Sequence, residues 1–545
     1  MKANRYLAAG ISVLALGLIA TSASAHKLYY PHGMGHQPID PDRPLAHLGP
    51  HAAPFVAPAK NKSGKWTDVT SALPFTKGPW APMQLTDGSV IIEDFCTSPA
   101  QWYRLTPDSK GQYTDGTWSK IAPMPSGYSP LFFAQQILPD GQVIINGGQY
   151  NDCSADLMDM GAIYDPVKNS WTSVRPPGGW STIGNAESII LPNGTYMLAD
   201  CCGIGTGEQA LGTISGTTVS WTPSDTWSCP DDGLCMEGEG FTPLPDGNVF
   251  LVDAWNVGSD YNDYRIYDTS ANSWNLAGKT ADFLGYEGVG PASLTPLGAK
   301  GGTIIQFTTT QSPGVNDVYS VAKKKWGSGP VMEVGSTIYE CDGAPAATLP
   351  DGNILVQASP GPFVSPSHFW EFTVNKKGKA TATQVNDTQT ADETSSFEGN
   401  LLVLPTGQVL WDNSQAKPNE VAIYMPKSKA EKAWLPVVSS VSATLTVGSA
   451  GNPISGTNFN GFSLGGAYGN SAQAATNFPM MRITNNQSGD VCFARSYNFS
   501  TMGVWTKGTT SASFDIPASC ETGASTLQVI VNGIASKGVS VTLES

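Results

Sequence analysis

The chain has 545 residues, enough for more than one domain, and only 14% of them are charged against 59 glycines and 40 prolines. That composition suits a loop-rich, all-β protein. Its formal charge of −15 sets it against phosphate backbones and anionic lipid, which argues against nucleic acid and membrane surfaces as partners. A cation or a neutral polyhydroxyl ligand is compatible with it.

Residues 1–25 carry Lys2 and Arg5, an apolar stretch from Tyr6 to Ala20, and the small residues Ala23-Ser24-Ala25. This pattern predicts a secretory signal peptide cleaved near Ala25, too short to be a membrane span. The mature protein is therefore expected outside the cytoplasm, periplasmic or released. Residues 26–64 are rich in Pro and His (His26, His32, His36, His47 and His51) and lack periodicity, so they read as a strap or lead-in.

Residues 65–435 are governed by a repeat. Leu85, Leu138, Leu191, Leu244, Leu297, Leu349 and Leu404 open Leu-Pro-Asp-Gly-like turns at steps of 53, 53, 53, 53, 52 and 55 residues. Each turn lies between two short apolar runs, so it closes a β-hairpin in which Gly takes positive φ. A second signature follows in most copies, as in Tyr164-Asp165 with Trp171 and Tyr267-Asp268 with Trp274, and two more strands flank it. Four strands per unit of this length predict a seven-bladed kelch-type β-propeller. The last two copies lack the tryptophan, and Tyr424 is expected to replace it in the seventh. The orphan Lys65-Trp66 segment is expected to complete the seventh blade and close the ring, which removes exposed sheet edges.

From Trp434 the texture shifts to alternating Thr, Ser and Val with Gly-Asn turns. Residues 436–545 fit an immunoglobulin-like early-set β-sandwich. Nine cysteines in an exported chain predict disulfides with at least one thiol left over. Cys492 with Cys520 and Cys229 with Cys235 are the simplest pairs. Adjacent Cys201 and Cys202 are expected to reach Cys96 or Cys153, with a vicinal bridge between them as the alternative. No Cys-x-x-Cys occurs, which disfavours zinc.

An exported kelch-type propeller followed by an early-set sandwich resembles the galactose oxidase and glyoxal oxidase family. The best local matches are Pro125-Ser126-Gly127-Tyr128 through Gly147-Gly148, Phe397-Glu398 through Leu404-Pro405-Thr406-Gly407, and Phe478 through Val504. The resemblance implies a copper centre held by two histidines and two tyrosines, one cross-linked to cysteine. Here the family's Tyr-His pair reads Phe397-Glu398, and the sandwich has no histidine. Tyr128 stands near the place of the cross-linked tyrosine, Trp80 near that of its cysteine, and Tyr150 near that of the stacking tryptophan. Copper-radical chemistry is therefore not expected, since copper needs imidazole donors.

What remains for the axis is a set of acids and aromatics just before the inner strands: Glu187, Glu237, Glu239, Glu287, Tyr339, Glu340, Asp342 and Glu398, with Tyr128 and Trp80. Such a mouth suits a glycan or a cell-surface partner, with hydroxyls on carboxylates and sugar faces on rings. It also suits calcium, which takes oxygen ligands. Two alternatives stay open: a carboxylate- or divalent-metal-dependent enzyme acting on carbohydrate, and a divergent copper oxidase. Equally, each Glu could cap its own loop. Asp94, Asp200, Asp253 and Asp412, which recur after the second strand, read as mainly structural, and His368 reads as a loop residue unable to build a site alone.

Overall fold

The structure is a computed structural model that describes residues 64–201, 206–228, 240–253, 263–285, 290–397, 399–468 and 472–545. The expected signal segment and leader lie outside the described residues, as do Cys229, Cys235, Glu237, Glu239, Glu287 and Glu398. No helix among the described residues is long and apolar enough to cross a membrane.

The fold is all-β: a propeller followed by a sandwich. Seven antiparallel meanders of four strands form among the described residues, each opening on a strand that leads into a repeat turn. In the second, Ala134–Ile137, Val143–Asn146, Gly161–Asp165 and Ser170–Val174 pair in sequence order. The Leu-Pro-Asp-Gly turn follows from its residues. Gly141 N–H donates to Leu138 O at 2.9 Å, Asp140 Oδ1 accepts from Gln142 N–H at 3.0 Å, and Gly141 sits at φ +79°. The same bond recurs from Gly194 to Leu191 at 2.8 Å and from Gly352 to Leu349 at 2.8 Å.

The second signature builds the outer hairpin. Asp165 Oδ1 accepts from Val167 and Lys168 N–H, and Asn169 takes φ +49°, as Asn272 does at +55° in the fourth sheet. Asn tolerates that conformation better than most residues. The tyrosine and tryptophan then stand opposite each other, Tyr164 with Trp171, Tyr267 with Trp274 and Tyr319 with Trp326. Whereas the buried Nε1 of Trp118 and of Trp326 meets no acceptor, three indoles reach back to the sheet before: Trp171 donates to Ala122 O at 3.1 Å, Trp221 to Arg175 O at 2.8 Å, and Trp274 to Gln209 Oε1 at 2.8 Å. A seam so made combines ring burial, about 1.5–3 kcal/mol per large side chain, with a satisfied indole.

The seventh sheet is completed by Lys65–Asp68, which pairs antiparallel with Val421–Met425 and places Trp66 opposite Tyr424. Trp66 donates to Asn386 O at 2.7 Å and packs 5.0 Å from the Tyr424 ring. The tryptophan of the seventh sheet is thus Trp66, supplied from the other end of the repeat region. Tyr424 takes the place of Tyr164 and Tyr267 on the third strand, not the tryptophan's place as the sequence suggested. The first and seventh sheets share an apolar core including Phe75, Val90, Ile92, Leu402 and Leu410, so the ring is closed.

The sandwich strands run from Val437–Val441 to Val539–Glu544. Cys492 and Cys520 are disulfide-bonded, as expected. Cys96 and Cys153 are bonded to each other, which corrects their expected pairing with Cys201 or Cys202. Cys201 is likewise disulfide-bonded, and the thiol left free among the described residues is the buried Cys341.

Candidate functional site

The sandwich seats on the turn end of the propeller. Backbone N–H groups of Ser496, Phe499 and Met502 donate to Thr86 O, Pro139 O and Pro192 O at 3.2, 3.3 and 3.1 Å, and Arg495 Nη2 donates to Asp140 O at 2.6 Å. Each acceptor belongs to a repeat turn. That end of the axis is covered, so access is from the opposite end, where chains enter the inner strands.

The axis itself is occupied. Gly465–Tyr468 and Ala474–Ala475 leave the sandwich as a hairpin, and its first strand pairs with Pro345–Thr348, the inner strand of the sixth sheet. Gly466 approaches so closely that a Cβ there would stand 2.5 Å from Leu401 O. Gln473 Nε2 donates to Phe241 O at 3.0 Å, while Gln473 O accepts from Gln135 Nε2 at 3.1 Å. Between the hairpin and Pro82, Gln135, Asn400 and Leu401 remains a cavity of ≈ 10 Å³, room for about one water. The channel is therefore a packed core here, which leaves the open end as the candidate site.

At that end the segments before four inner strands converge. Trp80 belongs to the first sheet, Phe132 precedes the second, Glu340–Ala344 precedes the sixth, and Ser396-Phe397 precedes the seventh. Phe132 lies 5.1 Å from Trp80, 6.0 Å from Tyr150 and 6.0 Å from Phe397, and Phe397 lies 4.2 Å from Phe363. Phe363 and Phe397 are partly exposed, whereas Trp80 is fully buried. The backbone here is strained. Ala81, Cys96, Phe132, Asp152, Cys153 and Phe363 all have φ between +50° and +62°. Left-handed non-glycine residues cost roughly 1–3 kcal/mol each and gather where a surface has a task.

Of the expected acids, Glu340 and Asp342 come together in one turn. Asp342 N–H donates to Glu340 Oε2 at 2.6 Å, and the Glu340 backbone exchanges bonds of 2.8 and 3.0 Å with Ser359. Glu340 is buried, its Oε1 meets no hydrogen-bond donor, and burial, then the nearby Asp342 charge, pushes its carboxyl well above the ordinary range. Asp342 is partly exposed. Phe397 covers this turn, since a Cβ on Gly343 would fall 2.6 Å from its ring.

Glu187 is fully buried directly before the third inner strand, where its carbonyl accepts from Ala199 N–H at 3.0 Å. Among the described residues no three His, Cys, Asp or Glu side chains gather as a metal site requires. Tyr128 is buried and donates to Gly147 O at 2.9 Å. Its phenol is pushed up by burial first, and Phe132, closer to the turn, joins the aromatic cluster. Tyr339 packs 5.1 Å from His368 and 5.2 Å from Trp370, and burial, then Asp387 and Asp392, raises its phenol to about 12. His368 opens the strand His368–Val374 rather than lying in a loop, buried with Nδ1 2.8 Å from Asp387. That strand is third from the axis, so the described residues bring no imidazole to the mouth.

Phe132, Phe363 and the axial hairpin were not singled out from the sequence. For the hairpin a signal exists: Gly465-Gly466-Ala467 and Ala472 to Ala475 form a run of small residues inside a sandwich otherwise rich in Val and Thr. Small residues permit such close backbone approach.

No family model matches the chain, and no curated protein matches it in sequence. Solved structures similar to it include a fungal alcohol oxidase of the AA5 family in complex with copper, 11% identical, covering 89% of this chain and 99% of that one at a TM-score of 0.34. The structure of YjhT is 14% identical and covers 57% of this chain and 100% of its own at 0.36. The extracellular domain of a one-component system from B. thetaiotaomicron is 10% identical and covers 89% of this chain and 58% of its own at 0.38. Superpositions this loose say nothing of chemistry, and the fold rests on the sheet topology above.

Proposed function

We propose that the chain is an exported propeller protein that binds a neutral glycan at the open end of its ring and does not perform copper-radical oxidation. The observation that carries this reading is the pair of partly exposed rings, Phe363 and Phe397, 4.2 Å apart beside Asp342. Flat apolar faces take the C–H face of a sugar, and a carboxylate beside them accepts its hydroxyls. Phenylalanine cannot supply the ligand oxygen or the radical that a tyrosine would, and the family's tyrosine position holds Phe397. With net charge −15, a neutral ligand meets no repulsion.

Affinity electrophoresis against neutral polysaccharides tests the reading. Retardation of the wild type that falls about tenfold in affinity for Phe397→Ala, a loss of ~1.4 kcal/mol, is the expected result. No retardation by any neutral glycan, or one molar equivalent of copper in the purified mature protein, would overturn it.

A second reading, glycoside hydrolysis, draws on Glu340. A carboxyl raised above the ordinary range by burial and by a second carboxyl beside it is the arrangement a general acid uses. Reducing-sugar release that disappears in Glu340→Gln would establish hydrolysis in place of plain binding.

A further inference from the structure

We infer that Tyr468 is a positioning residue for the open-end site, holding the Phe397 ring from behind through the axial hairpin of the sandwich. The hairpin enters from the covered end of the ring, pairs with the inner strand of the sixth sheet, and delivers the Tyr468 side chain to the far side of the channel. There its hydroxyl donates to the carbonyl oxygen of Phe397. Tyr468 is buried, and the residue it grips lies two positions before the seventh inner strand, Gly399–Val403. Ser396 N–H is fixed by Ser359 Oγ at 2.7 Å on the other side of the same short segment. Phe397 is thus held at two points, and its ring rests on Gly343, over the turn that carries Glu340, Cys341 and Asp342.

The sandwich then has a share in the site although its body docks at the opposite end. If the grip is lost, the ring is free to leave Gly343, and the turn beneath it opens. Cys341 reports that event. It is fully buried, and its thiol Sγ lies 3.7 Å from Gln357 O. This role rests on the open end being the binding site, yet it is tested through a thiol of the chain itself. Failure here and failure of glycan binding are therefore separate results.

The experiment is iodoacetamide labelling of the folded mature protein, with Cys341 followed by peptide mass spectrometry. Wild type should resist. Tyr468→Phe removes the hydrogen bond to the Phe397 carbonyl and keeps the ring, and should be alkylated at Cys341 at least about tenfold faster. Phe397→Leu, with Tyr468 intact, should be alkylated at a similar rate. Gln473→Ala removes a bond of the same hairpin on the side facing Phe241 and should label at the wild-type rate. Labelling of Tyr468→Phe no faster than wild type would refute the role. So would Gln473→Ala labelling as fast as Tyr468→Phe, because general loosening of the hairpin would then explain both.

Discussion

Asp412 lies fully buried on the second strand of the seventh sheet, with Oδ1 accepting from Asn400 Nδ2 at 3.0 Å and Oδ2 meeting no donor. Burial raises its carboxyl to about 8, and the Asn400 bond offsets only part of that. Asp317, buried beside Asp282, is raised to about 7 by the same cause. An acid whose pKa is raised by folding stabilises the fold fully below its unfolded value, near 4. That contribution is lost as pH rises toward the folded value. Asp412→Asn keeps an acceptor for Asn400 and removes the titration. The variant should melt with wild type near pH 4.5 and at least about 2 °C above it at pH 8.5. Equal melting temperatures at pH 8.5 in a calorimetric pH series would show that folding does not raise the Asp412 carboxyl. Glu93 occupies the equivalent place in the first sheet, and it too is buried and raised, by burial first and then by the Asp94 charge. Asp94, one residue further on, faces the other way and has another use: its carboxylate accepts from the N–H groups of Thr76, Lys77 and Gly78 and from the Thr76 hydroxyl. The sequence groups Asp412 with Asp94 as acids at the end of the second strand, but a one-residue offset on a strand reverses the face of the side chain, and the strand register reveals that offset.

Among the elements, Lys65–Asp68 couples the start of the ring to its end. The Trp66 ring packs 4.8 Å from Phe369 in the sixth sheet and 5.0 Å from Tyr424 in the seventh, and its indole is anchored on Asn386. Trp66→Ala should cost on the order of 2–3 kcal/mol, below the range for a fully enclosed tryptophan because this one is partly exposed. With the strand loosened, Val421–Met425 becomes an unpaired edge open to protease. Cleavage there at wild-type rates, with an unchanged urea midpoint, would mean that the ring closes without this strand. Closure itself was readable, because Lys65-Trp66 looks like the last strand of a blade whose other strands are missing. The seventh copy itself holds no tryptophan in that place and offers only Tyr424, whereas the fold takes the tryptophan from before the first copy. The axial hairpin failed for another reason. A strand enclosed on all sides needs small side chains, so it carries neither the alternation nor the bulk by which strands are recognised.

At the scale of the molecule, propeller and sandwich share both a docking face and a sheet. On the face, Phe493 packs against the turn glycine Gly88, whose φ is +83° and where a Cβ would lie 2.4 Å from the ring. Arg495 reaches Asp140 O at 2.6 Å while its guanidinium lies 4.6 Å from the Tyr497 ring centroid. In the sheet, Pro345 to Ala347 exchange ladder bonds with Gly466 to Tyr468, so the sixth sheet is incomplete without the sandwich. Domains joined only by a face can melt apart, but a shared sheet forces them to lose order together. The wild type is therefore expected to unfold in a single calorimetric transition. A double change, Phe493→Ala with Arg495→Ala, weakens the face and leaves the sheet, and should lower that transition without splitting it. Gly466→Val drives a side chain into Leu401 O and should split it, because the hairpin can no longer enter the axis. Two resolved transitions in the wild type would show that the shared strand contributes little, and the sandwich would then be a cap on the turns and nothing more.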